Sequence, residues 1–369
     1  MTPPHSHPKQ PQPALGPPQA SRVAWLDLIK ALSVLLVVVF HAALMLPALA
    51  GRGLATEVWL DINAVIEPLR MPVFFLVSGM LASRAVMSDG PWRQVTRSRI
   101  VTPLYLYALW TGLFLVLTVV IWQRDVAGAS ALYVKQLATG APGYWYLAAL
   151  PIFFTLARTT RRVPIWLVIP VAALPNLFRP VTADVFDSLL DPVLTTAMMG
   201  SIAVNAVFFL AGARWRDGMY RLADWGPRVG GWWLLAFLLT LAAVGVARWQ
   251  FPFLSGHTLL VQSLGWICWA VLAARVAAKW LPLQEFARFV GVRSLAIYVI
   301  QFPVLFLGGK LARLWPGPFD SPVAVALYPL LVTLVTVVVG VVVTRWFPTL
   351  LRLPTARVAL KKRKPLPSM

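Results

Sequence analysis

The sequence predicts an all-α, polytopic integral membrane protein, built as a bundle of about ten transmembrane helices. Of its 369 residues, 59% are hydrophobic and only 12% are charged, against about 25% charged in a typical soluble domain, and the mean hydropathy is +0.73. Apolar runs of about 20 residues, enough to cross a hydrocarbon core about 30 Å thick, recur along nearly the whole chain. The basic residues are concentrated in alternate loops, a distribution that sets membrane orientation.

Ten apolar segments are predicted to cross the membrane. The fourth and fifth are short and are interrupted by Pro151 and Pro170, so the sequence leaves the number open by one or two. The predicted segments are residues 23–49, 62–83, 101–122, 143–157, 163–178, 193–213, 231–248, 257–278, 291–312 and 322–346.

The distribution of basic residues predicts that both termini face the cytoplasm. With the N-terminus inside, most of the 33 Lys and Arg residues fall in cytoplasmic segments. Residues 1–21 are Pro-rich and predict a disordered cytoplasmic tail, residues 22–347 form the membrane domain, and residues 348–369 form a basic cytoplasmic tail. The net charge of +20 therefore indicates topology and contact with anionic lipid headgroups rather than binding of nucleic acid.

Cysteine usage excludes one class of site. The single cysteine, Cys268, lies in the middle of an apolar segment, which rules out an internal disulfide and any cysteine cluster for a metal. We therefore predict no metal site and no bound cofactor.

Ionisable residues inside the apolar segments are few, and each is a candidate functional residue because its burial in hydrocarbon is costly. The first segment carries Asp27, Lys30 and His41. The step from Lys30 to His41 turns about 1100°, within about 20° of whole turns, so both side chains project from one helix face. The second segment brings Glu67 and Arg70 to roughly the depth of His41. A desolvated histidine there stays neutral at pH 7 and can accept a proton.

Each of these residues also has a structural interpretation. Lys30 can extend to the headgroups and pair with Asp27, which would only anchor the helix. His41 can be a packing residue that is hydrogen-bonded to a neighbouring helix. Glu67 and Arg70 are spaced to form an ion pair within one helix turn.

Two further residues have competing structural roles. Ser78, together with the glycine that follows it, suits close packing of helices, and no nucleophile motif surrounds it. Trp145 lies at a predicted outer helix end, where an aromatic belt is expected.

Six short segments follow one another in the order of a known set of motifs. They are WLDLIKALSVLLVVVFH (25–41), RMPVFFLVSGM (70–80), RIVTP (99–103), GYWYLAAL (143–150), VFFLAG (207–212) and SLAIYVIQFPVL (294–305). In this order they resemble the membrane-bound acyltransferase 3 family, in which an arginine precedes the catalytic histidine in the first span. The leading Arg-Met of the second segment is similar to the branch that contains periplasmic glucan succinyltransferases.

The chain departs from the pattern of that family at two positions. Lys30 stands where the family has arginine, which keeps the charge but loses the planar fork that binds phosphate or carboxylate at two points. Gln301 stands where the family has a late histidine, so hydrogen bonding remains there and proton transfer does not.

The resemblance implies a bacterial inner-membrane enzyme that transfers a short acyl group, acetyl or succinyl, from a cytoplasmic acyl-CoA donor to a hydroxyl of an envelope glycan or glycolipid. His41 would be the general base or would itself carry the acyl group. Arg70 would stabilise the oxyanion or bind a succinyl carboxylate. The donor-binding candidates are Asp27, Lys30, Arg97 and Arg99, and the residues expected to line the site or contact the acceptor are Glu67, Ser78, Trp145, Tyr298 and Gln301.

A polar track across a helix bundle has another functional interpretation. A transporter or flippase with a proton relay would also place ionisable residues at membrane depth, although the two halves of the sequence show no repeat. A non-catalytic membrane scaffold would leave the polar residues of the first segment without a purpose. Covalent transfer of an acyl label distinguishes the enzyme from both alternatives.

Overall fold

The structure, a computed structural model, describes residues 23–122, 126–140, 143–178, 192–251 and 255–354. Within these ranges the regular secondary structure is entirely helical. The predicted N-terminal tail, 1–21, and most of the predicted basic tail, from residue 355 onward, lie outside the described residues.

Sixteen α-helices form the described part of the chain. They are α1 (Ala24–Ala43), α2 (Leu46–Ala50), α3 (Leu54–Val65), α4 (Glu67–Met87), α5 (Trp92–Thr96), α6 (Thr102–Trp122), α7 (Val126–Thr139), α8 (Trp145–Thr159), α9 (Ile165–Leu177), α10 (Pro192–Arg214), α11 (Arg216–Trp225), α12 (Gly231–Gln250), α13 (Ser255–Ala277), α14 (Leu281–Gly291), α15 (Ser294–Leu314) and α16 (Pro322–Trp346). One π-helical turn, Arg97–Val101, joins α5 to α6.

The prediction of an all-helical protein with multiple membrane spans is confirmed. Each of the ten predicted segments contains a helix, and seven of the described helical segments are long and apolar enough to cross a membrane. An eighth arises if α10 and α11, which are bent by 81° at their junction, form one broken span. The number ten and the cytoplasmic termini stay predictions. Helices α8 and α9 have only 15 and 13 residues, fewer than the roughly 20 needed to cross the hydrocarbon core.

Five helices lie where the sequence predicts mainly connecting segments. Helices α3, α5, α7, α11 and α14 are too short or too polar to be found by a search for apolar runs. In α14, which packs along α1, Ala287, Val290 and Gly291 are buried while Phe286 and Phe289 are exposed. Such amphipathic helices are indicated by apolar residues that recur at a period of 3.6 residues, and not by the mean hydropathy of the segment.

Helix α1 lies at the centre of the bundle, against α4, α13, α14, α15 and α16. Its fully buried side chains, Ala31, Val34, Val38 and Ala42, recur at spacings of three and four residues, which places them along one stripe. These side chains are small, so neighbouring helices approach closely. His41 therefore sits at the edge of a fully buried stripe of α1.

Helices α4 and α10 touch through their backbones at two glycines. A Cβ atom at Gly79 would overlap the backbone of Phe209, and one at Gly212 would overlap the backbone of Leu76. Small residues permit this approach. The reciprocal contact packs two similar sequence segments, FFLVSG and FFLAG, against each other and aligns their phenylalanines in the core.

The start of the predicted basic tail packs back onto the bundle. A short 3₁₀ turn covers Pro348–Leu351, and the indole of Trp110 on α6 donates a hydrogen bond of 3.0 Å to the carbonyl oxygen of Leu350. Arg97 likewise donates to the carbonyl oxygen of Pro354 at 3.3 Å. These contacts hold residues 348–354 against the membrane domain.

Candidate functional site

A cavity of about 380 Å³ lies beside His41 and brings together four residues that the sequence singled out. His41 on α1, Glu67 and Arg70 on α4, and Trp145 at the start of α8 all line it. Helices α9, α10 and α13 contribute further residues to its lining. The shared depth predicted for the two polar sets therefore corresponds to one shared cavity.

The imidazole of His41 has a defined hydrogen-bonding role. Its Nδ1 atom lies 2.9 Å from the carbonyl oxygen of Val37. A carbonyl oxygen only accepts, so Nδ1 carries the proton and, in the neutral ring, Nε2 keeps its lone pair. The ring packs against Phe40 and Phe302, with centroid separations of 5.1 Å and 5.0 Å. The local structure therefore presents Nε2 as an oriented base or nucleophile.

Arg70 is held with one edge of its guanidinium engaged and the other available. The side chain is only 6% exposed. Nη1 donates to the backbone oxygen of Asn63 at 2.6 Å and to its Oδ1 atom at 3.1 Å, and the group lies 4.1 Å over the ring of Phe40. Among the described residues, Nε and Nη2 have no hydrogen-bond partner, so two donors remain at the wall of the cavity.

Glu67 is paired with an arginine at the end of the predicted segment 231–248. Arg248, on α12, donates to the carboxylate of Glu67 at 3.0 Å and to the carbonyl oxygen of Ala64 at 2.6 Å, and it is only 7% exposed. Nothing local in the sequence indicates this pairing, because 181 positions separate the two residues.

We expect Arg248→Gln to lower the free energy of unfolding by about 1–3 kcal/mol, because it removes the charged donor that Arg248 supplies to the carboxylate of Glu67 and to the carbonyl oxygen of Ala64. Thermal unfolding of the purified protein, followed by tryptophan fluorescence, measures the change. The matched control is Arg52→Gln. Arg52 pairs with Glu57 at 3.4 Å, but its side chain is 75% exposed, and such surface pairs contribute little. Equal effects of the two substitutions would contradict the assigned role of Arg248.

The cavity is also lined by uncharged polar residues, which a search restricted to ionisable groups does not find. Asn176 comes from α9, Ser201 and Asn205 from α10, and Ser263 from α13. Both asparagines and Ser263 are buried. A search for amides inside the apolar segments ALPNLF and IAVNAVFF would have found the asparagines.

A second cavity, of about 270 Å³, lies further along α4. Ser78 and Tyr146 line it. The lining also includes Ser98 and Arg99 from the π-helical turn, Thr102 at the start of α6, and several apolar side chains. Ser78 donates to the carbonyl oxygen of Phe74 at 2.8 Å, so the 2.7 Å contact between Ser78 Oγ and the Tyr146 hydroxyl has the tyrosine as donor. Ser78 is thus a hydrogen-bonded packing residue at the cavity wall.

Aromatic side chains lie between the two cavities. The ring of Tyr146 is 4.5 Å from that of Phe74 and 5.3 Å from that of Tyr298. Phe74 sits on α4 between Arg70, which lines the first cavity, and Ser78, which lines the second. We refer to the rings of Phe74, Tyr146 and Tyr298 as the aromatic partition.

Tyr298 has a structural role at the start of α8. Its hydroxyl donates to the carbonyl oxygen of Gly143 at 2.6 Å, and the hydroxyl of Tyr144 donates to that of Val299 at 2.8 Å. Gly143 has a φ of 147° and touches the ring of Phe302, which leaves no room for a side chain. The two bonds place Phe302 against His41.

The remaining predicted site residues line neither cavity. Asp27 packs its backbone against Gly291, and Lys30 is half-buried. Arg97 is bound to the chain near residue 354. Gln301 is fully buried; its Nε2 donates to the carbonyl oxygen of Tyr298 at 2.9 Å, and its Oε1 is a buried atom without a hydrogen-bond partner in the described chain. Of the three ionisable residues on α1, His41 therefore lines one of the two cavities, and Asp27 and Lys30 line neither.

The described ranges contain no candidate metal site. No group of three or more His, Cys, Asp or Glu side chains there is placed to hold a metal ion.

Comparison with known proteins identifies the family. A sequence model described as an acyltransferase domain matches residues 23–345. The inner membrane protein YcfT of Escherichia coli K12 is 28% identical over 158 residues, which cover 38% of this chain and 44% of that protein. The matched region therefore spans less than half the length of this relative. No solved structure matches significantly. The match over nearly the whole chain confirms the resemblance carried by the six motifs, and the chain belongs to the membrane-bound acyltransferase 3 family as an integral membrane member.

Proposed function

We propose that this protein transfers a short acyl group, acetyl or succinyl, from a cytoplasmic acyl-CoA donor to a hydroxyl of an extracytoplasmic glycan or glycolipid. One observation carries the proposal. The Nε2 lone pair of His41 is left free by the bond from Nδ1 to Val37, in the same cavity as the two available donors of Arg70. A base and an oxyanion-binding group are the parts that acyl transfer requires.

Direct transfer follows from this arrangement. Nε2 of His41 removes the proton of the acceptor hydroxyl while its oxygen attacks the carbonyl carbon of the thioester. Nε and Nη2 of Arg70 donate to the oxygen that becomes negative. When the intermediate collapses, the carbon–sulfur bond breaks, the ester forms, and the proton passes from His41 to the departing thiolate.

A covalent route uses the same atoms. Nε2 attacks the carbonyl carbon of the thioester and the thiolate leaves, which gives an N-acyl-imidazolium whose Nδ1 proton stays bonded to the carbonyl oxygen of Val37. The acceptor hydroxyl then attacks the acyl carbon, the bond from that carbon to Nε2 breaks, and the hydroxyl proton passes to the released thiolate. Gln301, the neighbour in sequence of the Phe302 ring that packs against His41, would orient the ring in either route.

Donor binding is assigned to the second cavity and the basic residues beside it. Arg99 lines that cavity, and Arg97 belongs to the same π-helical turn. Their charges suit the phosphates of a coenzyme A head, while the largely apolar cavity suits its extended arm. Lys30 and Asp27 would act near the cytoplasmic end of α1. The aromatic partition would have to be displaced for the thioester to reach His41.

Radiolabelled acetyl-CoA and succinyl-CoA, supplied in parallel to membrane vesicles that contain the protein, test this function. We expect label to become covalently attached to an extractable glycan or lipid, which mass spectrometry then identifies, and the preferred donor gives the acyl length. Vesicles prepared without the protein are the control. Movement of a substrate across the membrane without covalent label would instead indicate a transporter, and absence of both label and movement would exclude both functions.

A further inference from the structure

The two asparagines that line the cavity of His41 are oriented so that their oxygens are available. Nδ2 of Asn176 donates to the carbonyl oxygen of Val204 at 2.6 Å, and Nδ2 of Asn205 donates to that of Ser201 at 2.8 Å. Because those carbonyl oxygens only accept, each amide is turned with its nitrogen toward the backbone and its Oδ1 atom away from it. Within the described chain, neither Oδ1 atom has a hydrogen-bond partner, and both atoms remain accessible to water.

This wall of the cavity is a set of hydrogen-bond acceptors. The two Oδ1 atoms accept only, and the hydroxyls of Ser201 and Ser263 accept as well as donate. Both asparagines and Ser263 are at least nine-tenths buried, so a ligand that meets them must supply donors or leave them desolvated and unpaired. Arg70, which lines the same cavity, supplies donors and positive charge. The lining of the cavity therefore suits a ligand that carries both a group that accepts hydrogen bonds and groups that donate them.

Resting on the proposed function, we infer that the wall formed by Asn176, Ser201, Asn205 and Ser263 is the binding site for a polyhydroxylated acceptor, a sugar ring whose hydroxyl groups donate to the two asparagine oxygens. A carboxylate or a thioester has no proton to donate to this wall. Phe208 and Trp145 line the same cavity and provide the apolar faces against which a sugar ring packs. The hydroxyl that is not engaged by the wall is then presented to His41.

The inference is tested with two acceptors that share an alkyl chain. Octyl β-D-glucopyranoside, used below its micellar concentration, and 1-octanol are supplied to proteoliposomes with radiolabelled acetyl-CoA. We expect the wild-type protein to acylate the glucoside in preference to octanol. Asn205→Leu and Asn176→Leu should each raise the KM for the glucoside about tenfold, the loss expected for one good hydrogen bond, and leave the KM for acetyl-CoA within about twofold.

Controls separate recognition from folding. Thr336→Val removes another fully buried polar group that is bonded to its own helix, at 2.7 Å to Val332, and should leave both KM values unchanged. Ser263→Ala is the conservative variant should the leucine variants fail to fold, and it should raise the KM for the glucoside about threefold. Thermal unfolding establishes that each variant is folded.

The outcomes distinguish this inference from the proposed function. An unchanged KM for the glucoside in folded variants overturns the inference, as does a wild-type protein that labels octanol or a membrane component but not the glucoside. A rise in the KM for acetyl-CoA instead would assign the wall to the amide groups of the donor arm. Absence of any acyl transfer by the wild-type protein would refute the proposed function itself.

Discussion

Replacement of His41 by alanine is expected to lower the rate of acyl transfer by about 10²- to 10⁴-fold, the usual contribution of a positioned general base. The reason is the fixed orientation of the ring. Nδ1 is committed to the carbonyl oxygen of Val37 at 2.9 Å, so Nε2 alone can remove the proton or carry the acyl group. Transfer of label from radioactive donor in vesicles measures the loss.

His41→Asn is the matched control for the structural role of the ring. The asparagine amide can donate to the carbonyl oxygen of Val37 as Nδ1 does, but it places no basic atom where Nε2 stands. We expect this variant to unfold at nearly the wild-type temperature and to be as inactive as His41→Ala. Wild-type rates in folded His41→Asn vesicles would disprove both proposed roles of the imidazole.

Gly212→Ala should destabilise the protein strongly, by about 3 kcal/mol or more, because the added methyl group would overlap the backbone of Leu76 on α4. A backbone cannot rotate aside as a side chain can, so α4 and α10 would have to separate. That separation would also move Arg70 and Ser78, which α4 carries into the two cavities. The yield of monodisperse protein and its thermal unfolding temperature measure the effect.

Gly200→Ala provides a control on the same helix. A Cβ atom at Gly200 would meet no atom within 4 Å, and alanine is the better helix former by about 1 kcal/mol. We therefore expect Gly200→Ala to leave the unfolding temperature unchanged or slightly raised. A comparable loss of stability in the two variants would show that the glycine contact between α4 and α10 is not what holds the helices together.

Local features of the sequence predict the parts of the site that lie on α1 and on the first turn of α4. Charged residues are rare in apolar segments because their burial is costly, so His41, Glu67 and Arg70 stand out. Helical periodicity and the direction of each span then place them at one depth. The same reasoning extends the polar stripe to Lys30, yet neither of the two cavities reaches that residue, because helix periodicity gives the direction of a side chain and not what packs beside it.

By itself, therefore, the sequence determined that the chain is a multi-span helical protein, that it carries the motifs of its family, and that an imidazole and a guanidinium lie at one depth. Only the tertiary structure decided that Arg248 supports Glu67, that Tyr298 holds the start of α8, and that Asn176 and Asn205 line the same cavity as His41. Burial of a neutral amide in hydrocarbon costs much less free energy than burial of a charge, and a single amide changes the mean hydropathy of an apolar segment little. Contacts between residues far apart in the chain depend on how helices pack, which no local pattern records.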